Sequence, residues 1–242
     1  MVGWGSYDGA MSRSTKVAII AALPREIKGL VRGTVADASL VADGVWLYRI
    51  DGAVVVAAGM GAERAAVAVE AALAAGEVGM LISTGLAGGC TPGVLAGSVI
   101  EAGLVVEVAS GDRFVAGDGT GVTLATAAAI ASVAEKARLA ERFGAGMVDM
   151  EAAAVARIAL GRGLEFRAIK GVSDGHEFEL SSLGRFEGER GSFRTGAFAA
   201  YTAVRPWTWG RAVELGRGSA KALAGLEEAL RNVIAGSDTL GG

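Results

Sequence analysis

Three short apolar runs in this 242-residue chain each lead to an acid. Ala18-Ile19-Ile20-Ala21-Ala22-Leu23-Pro24-Arg25 leads to Glu26, Met147-Val148-Asp149-Met150 to Glu151, and Gly171-Val172-Ser173 to Asp174. Runs this short, alternating with longer helix-forming segments, read as buried strands of an α/β sheet. In such folds the strand ends converge on one rim, where ligands bind. Three acids from distant parts of the chain are therefore expected in one pocket, where different environments divide acid and base work between them.

The rest of the chain fits this reading. Residues 16–22 form the first strand, and Pro24 suits a first helical turn. Residues 45–50 and 53–58 flank Asp51-Gly52, a hairpin signal that makes the sheet mixed. Gly59-Met60-Gly61 leads into a helix over residues 62–75. Residues 80–83 are a strand running into Thr84-Gly85-Leu86-Ala87-Gly88-Gly89, read as a loop that a ligand approaches closely. Further strands are expected at 98–101, 104–108, 122–125, 147–149 and 166–172, with helices at 129–143 and 150–160. Residues 177–194 read as a polar loop over the pocket and 197–204 as a helix. A long helix from Trp209 carries Leu223, Leu226, Leu230 and Ile234 along one face. The expected fold is a three-layer α/β/α sandwich with a mixed central sheet. It forms one domain over residues 16–236, after a disordered tail at 1–15 in which Met11 is an alternative start.

Composition excludes several functions. The net charge is −3 and no basic block stands out, which argues against nucleic-acid binding. The greasy stretches are broken by Glu, Arg or Gly, so no membrane span is expected, and the first fifteen residues lack the pattern of a signal peptide. The one cysteine, Cys90, excludes an intrachain disulfide and fits a reducing compartment such as the cytoplasm. It reads as a passive thiol. The sole histidine, His176, excludes a multi-histidine metal site and reads as a polar loop residue. Arg64 stands where a dinucleotide fingerprint starting at Gly59 needs its third glycine, so no NAD site is expected. Lys136, Arg138 and Arg142 read as a solvated helix face, and Trp207 and Trp209 as packing or interface residues.

At residues 18–26, 59–61, 83–89, 148–152 and 173–174 the sequence resembles the nucleoside phosphorylase/nucleosidase superfamily. Within it, the resemblance is nearest to 5′-methylthioadenosine/S-adenosylhomocysteine nucleosidases. The ordered set of motifs points to the superfamily; no one of them fixes a substrate. The resemblance implies a nucleosidase without cofactor or metal, acting on a small-molecule nucleoside as a homodimer. It makes Glu26 the residue that activates water and Asp174 the acid that protonates the departing purine. It puts Met150 and Glu151 on the ribose and Leu86, Ala87, Gly88 and Ser173 around base and ribose. Taken singly, Glu26 and Glu151 read as acids in first helical turns, and Asp174 as a turn residue.

Phosphorolytic relatives carry an arginine near the position of Glu26 and a serine at that of Leu86, so hydrolysis is favoured and phosphorolysis is the alternative. Arg25 is adjacent, but neighbours on a helix point about 100° apart and are not expected to share a direction. Three features depart from the family. Ala127-Ala128-Ala129-Ile130 replaces an aromatic stacking partner. The stretch between Ile100 and Val122 lacks a long insert. Residues 180–193 form a longer polar stretch with Phe186 and Phe193 as replacement aromatics. An open 5′ side keeps bulkier substrates, adenosylhopane or futalosine, as alternatives.

Overall fold

The structure, a computed structural model, describes residues 16–179 and 209–239. The tail at 1–15, the helix at 197–204, most of the 177–194 loop, Phe186, Phe193 and Trp207 lie outside the described residues.

Ten strands form one mixed sheet among the described residues. They are β1 (Lys16–Ala21), β2 (Trp46–Ile50), β3 (Ala53–Ala57), β4 (Val78–Ser83), β5 (Leu86–Gly89), β6 (Val99–Glu107), β7 (Arg113–Val115), β8 (Val122–Thr126), β9 (Ala145–Asp149) and β10 (Glu165–Asp174). Their spatial order is β2-β3-β1-β4-β10-β5-β9-β8-β6-β7, with β6 pairing also to β10. One half of the sheet is therefore open, and the other closes on itself from β10 through β5, β9, β8 and β6 back to β10.

The helices are α1 (Pro24–Ile27), α2 (Ala38–Val41), α3 (Ala62–Ala74), α4 (Val133–Phe143), α5 (Ala152–Arg162) and α6 (Trp209–Thr239). The period of two in β1 explains the layers. Ala18 and Ile20 pack under Ala65, Ala68 and Val69 of α3 and Val155 and Ala159 of α5. Val17, Ile19 and Ala21 face the opposite side, against Ile27 and against Leu226 and Leu230 of α6. Leu223 and Ile234 pack beside these as partly buried residues, so the expected apolar face of α6 is the one that docks. Small alanines let α3 and α5 sit close to the sheet and to each other.

Four local readings are corrected. Residues 86–89 form a strand, not a loop. β4 and β5 pair with β10 at the same offset on either side of Thr84-Gly85, with one irregularity between Val172 and Asp174, so the glycine-rich stretch continues a strand whose partners are already in place. The two strands expected at 98–101 and 104–108 are one, β6. α4 starts at Val133 rather than 129, because the Ser132 side chain caps it by accepting from the Glu135 amide at 3.1 Å. Ser173 and Asp174 end β10 instead of lying in a turn. The short strand β7 and the single turn α2 carried too little periodicity to be expected.

Candidate active site

The strand ends and the loops after them enclose a cavity of about 440 Å³. All eight residues singled out in the sequence line it: Glu26, Leu86, Ala87, Gly88, Met150, Glu151, Ser173 and Asp174. Leu23, Met60, Ile130, Leu215 and Leu223 give it apolar walls, the last two from α6. No aromatic residue among the described residues lines it.

Glu26 sits in α1, half-buried, and its carboxylate folds back on the chain. Oε2 accepts from the amides of Ala22 at 3.1 Å and Leu23 at 3.0 Å, and Oε1 accepts from the amide of Leu86 at 3.4 Å. It thus caps its own helical turn while lining the cavity. Burial raises its pKa, against backbone hydrogen bonding at Leu23 and the charge of Arg25, which lower it. Gly85 makes this position possible. Its φ is +109°, and a Cβ there would stand 2.7 Å from Glu26 Oε2.

Glu151 follows β9 and is buried. Its Oε1 accepts from the amide of Gly61, the residue that opens α3, at 2.8 Å. The carboxylate therefore faces the amino end of α3 as well as standing at the start of α5. Burial first, and the neighbouring Asp149 second, push its pKa up to about 7; Lys170 and the Gly61 amide pull the other way.

Below Glu151 lies a network the sequence reading missed. Lys170 and Asp149 form an ion pair at 2.9 Å with both side chains fully out of solvent. Lys170 Nζ also donates to Ser83 Oγ at 2.9 Å and to the Thr84 carbonyl at 3.0 Å. Asp149 accepts from Thr126 Oγ1 at 2.7 Å and from the Ala152 amide at 2.9 Å, so it, and not Glu151, caps α5.

At the far end, Asp174 is gripped on both oxygens. Ser173 Oγ donates to Oδ1 at 2.5 Å, and Lys136 Nζ donates to Oδ2. Burial raises the Asp174 pKa, while Lys136 and then Ser173 lower it. Lys136 is 1% exposed, which overturns its reading as part of a solvated helix face. Helical spacing puts it beside Leu139 on the inward stripe of α4, away from the exposed Arg138 and Arg142. A second correction concerns Arg25, which lines the cavity together with Glu26. α1 is one short turn at the cavity mouth, and directions 100° apart still both border an opening this wide.

Residues 104–191 match the family described as the phosphorylase superfamily. No curated protein sequence matches the chain. Similar solved structures include a 5′-methylthioadenosine/S-adenosylhomocysteine nucleosidase of Helicobacter pylori (TM-score 0.63, 13% identity, 90% of this chain and 98% of that one). The corresponding nucleosidase of Colwellia psychrerythraea, solved with adenine, has TM-score 0.59 and 21% identity over 68% and 85% of the two chains. Futalosine hydrolase of Helicobacter pylori has TM-score 0.59 and 16% identity over 68% and 86%. The chain has the nucleoside phosphorylase fold.

Within this fold the remaining polar residues fall into place. Cys90 is buried, and loss of solvent pushes its thiol up to about 12, as suits a passive thiol. His176 lies just past β10 with Nε2 3.6 Å from Glu177, and does not line the cavity. No group of three or more metal-ligating side chains occurs among the described residues. No helix among them is long and apolar enough to cross a membrane.

Proposed function

We propose that this protein is a nucleosidase that hydrolyses the N-glycosidic bond of an adenine nucleoside such as 5′-methylthioadenosine or S-adenosylhomocysteine. The observation that carries the reading is the meeting of Glu26, Glu151 and Asp174 on one cavity with largely apolar walls. Breaking a bond from C1′ to a purine nitrogen builds positive charge on the ribose and negative charge on the base. Asp174 serves as general acid to the base, a role typically worth about 10²–10⁴-fold. Glu26 activates the attacking water, and Glu151, with Met150 beside it, holds the ribose hydroxyls. Leu86, Ala87, Gly88 and Ser173 line base and ribose. The division of labour parallels the paired carboxyls of O-glycoside hydrolysis.

Leu86 and the acid Glu26 support hydrolysis, since neither side chain holds phosphate. Arg25 on the cavity wall is the observation that favours the second reading, phosphorolysis by the same fold. A nucleosidase for a bulkier substrate, adenosylhopane or futalosine, fits the short connection between β6 and β8, where only β7 intervenes. A homodimer belongs to the reading through the family resemblance, and sedimentation velocity tests it.

The deciding experiment is base release from methylthioadenosine, S-adenosylhomocysteine, adenosine, inosine and futalosine, with and without phosphate. Release without phosphate supports the nucleosidase. Release only with phosphate replaces it with the phosphorylase. No release from any of the five overturns the assignment to these substrates.

A further inference from the structure

We propose that Lys136 is a positioning residue for base release, acting through Asp174 to make that carboxyl group an effective proton donor. The inference rests on the nucleosidase reading above.

The geometry is specific. Lys136 reaches in from α4, on a different wall from β10, and its Nζ donates to Asp174 Oδ2, to the Gly175 carbonyl at 2.9 Å and to the Phe178 carbonyl at 3.1 Å. Those three acceptors match the three N–H bonds of an ammonium group. Side-chain exposure is 2% for Lys136 and 1% for Asp174, yet both line the cavity. Gly88 leaves the space this needs: a Cβ there would stand 3.2 Å from Lys136 Cε and 3.3 Å from Asp174 Oδ2. Packing alone does not call for a lysine at this inward position, because burying an ammonium group is no better for stability than well-packed apolar groups.

The chemistry does call for one. When the C1′–N9 bond breaks, its electron pair stays with the base. The base takes a proton at N7 from the Asp174 carboxyl, and Asp174 is left as a carboxylate. Buried as Asp174 is, that anion needs a counter-charge already in place. Lys136 stands on Oδ2 and supplies it. Burial raises the Asp174 pKa, and the Lys136 charge on Oδ2 opposes that rise and favours the carboxylate left after proton transfer. Two other groups lie against this carboxyl among the described residues. Ser173 is its hydrogen-bond donor, and the Cys90 thiol is electrically coupled to it but held neutral.

The test uses Lys136→Met, which keeps side-chain length and removes the charge, and Lys136→Arg, which restores a cation. Each is assayed with the fastest purine nucleoside of the panel above and with 4-nitrophenyl β-D-ribofuranoside, whose phenolate leaves without a proton. Lys136→Met is expected to lower kcat on the purine nucleoside by about 10²-fold or more, with KM within about threefold, and to leave the aryl riboside within about threefold. Lys136→Arg recovers part of the purine rate. Equal losses on both substrates, or no loss on the purine, overturn the inference while leaving the nucleosidase standing. A wild-type protein that releases no base from any nucleoside overturns the nucleosidase reading and the inference together. Should the wild type not cleave the aryl riboside, the kcat–pH profile on the purine decides. An alkaline limb moved upward in Lys136→Met upholds the role, and an unmoved limb overturns it.

Discussion

Lys170 Nζ lies 2.9 Å from Asp149 Oδ2, with neither side chain reaching solvent, and Asp149 lines the cavity two residues before Glu151. Removing one partner leaves the other as a buried, uncompensated charge, which costs far more than the pair contributes. Lys170→Met is therefore expected to lose about 3–5 kcal/mol in urea unfolding. The double variant Lys170→Met/Asp149→Asn is expected to recover part of that loss, because no full charge then remains unpaired.

Glu151 makes stability depend on pH in a direction opposite to that of most carboxylates. Its pKa rises from 4.5 in the open chain to about 7 in the fold. Between these values the folded state binds the proton and the unfolded state does not, so stability falls as pH rises through that window. The full effect is on the order of 3 kcal/mol. Urea unfolding at pH 5 and pH 7.5 is expected to show the wild type losing more than Glu151→Gln over that interval. On the nucleosidase reading, in which Glu151 accepts from ribose hydroxyls, kcat/KM is expected to show an acid limb that rises up to about pH 7.

Asp174→Asn keeps the shape of the base end and removes the transferable proton. Base release is expected to fall by about 10²–10⁴-fold. Calorimetric binding of a non-hydrolysable nucleoside is expected to persist, because Glu151 and Met150 are untouched. Undiminished turnover would remove Asp174 from the mechanism.

Glu26 and Gly85 are coupled by space. Glu26→Gln is expected to slow hydrolysis strongly while the thermal midpoint moves little, since the amide oxygen still accepts from the backbone. Gly85→Ala puts a Cβ 2.7 Å from Glu26 Oε2 at a φ of +109°, so it is expected to displace the carboxylate and reproduce much of that loss with Glu26 intact. A Gly85→Ala enzyme with wild-type kcat would show that the position of Glu26 is not critical.

Much of the layer architecture was legible because it rests on short-range periodicity. β1, the β2–β3 hairpin, α3 and the docked face of α6 all follow from patterns within a few residues. β5 was not legible, since Leu86-Ala87-Gly88-Gly89 has little strand preference and is held extended by β10 and β9. The three acids stood out because each follows an apolar run. The two buried lysines did not, although both left traces. Lys170 is the one charge inside Ala168-Ile169-Lys170-Gly171-Val172, and Lys136 shares the helical stripe of Leu139. A lone lysine in an otherwise inward-facing pattern predicts a buried acid opposite it, but which acid is a matter of tertiary contact.

β10 is bonded along one edge to β4 and then β5, and along the other to β6, an arrangement that backbone bonds with Gly97 and Ser98 extend to Val172. Asp174, two residues further on, is thus rooted in a strand that cannot slide without tearing two ladders at once. On the nucleosidase reading, the proton donor does not follow its leaving group; the substrate is brought to a fixed anvil. Accommodation of wider or narrower bases then falls to Ala129, Ile130 and Ala131, which line the cavity and run without regular structure ahead of Ser132. Substitutions at those three positions can then shift substrate range while Asp174, at the end of β10, and Lys136, one turn into α4, keep their places.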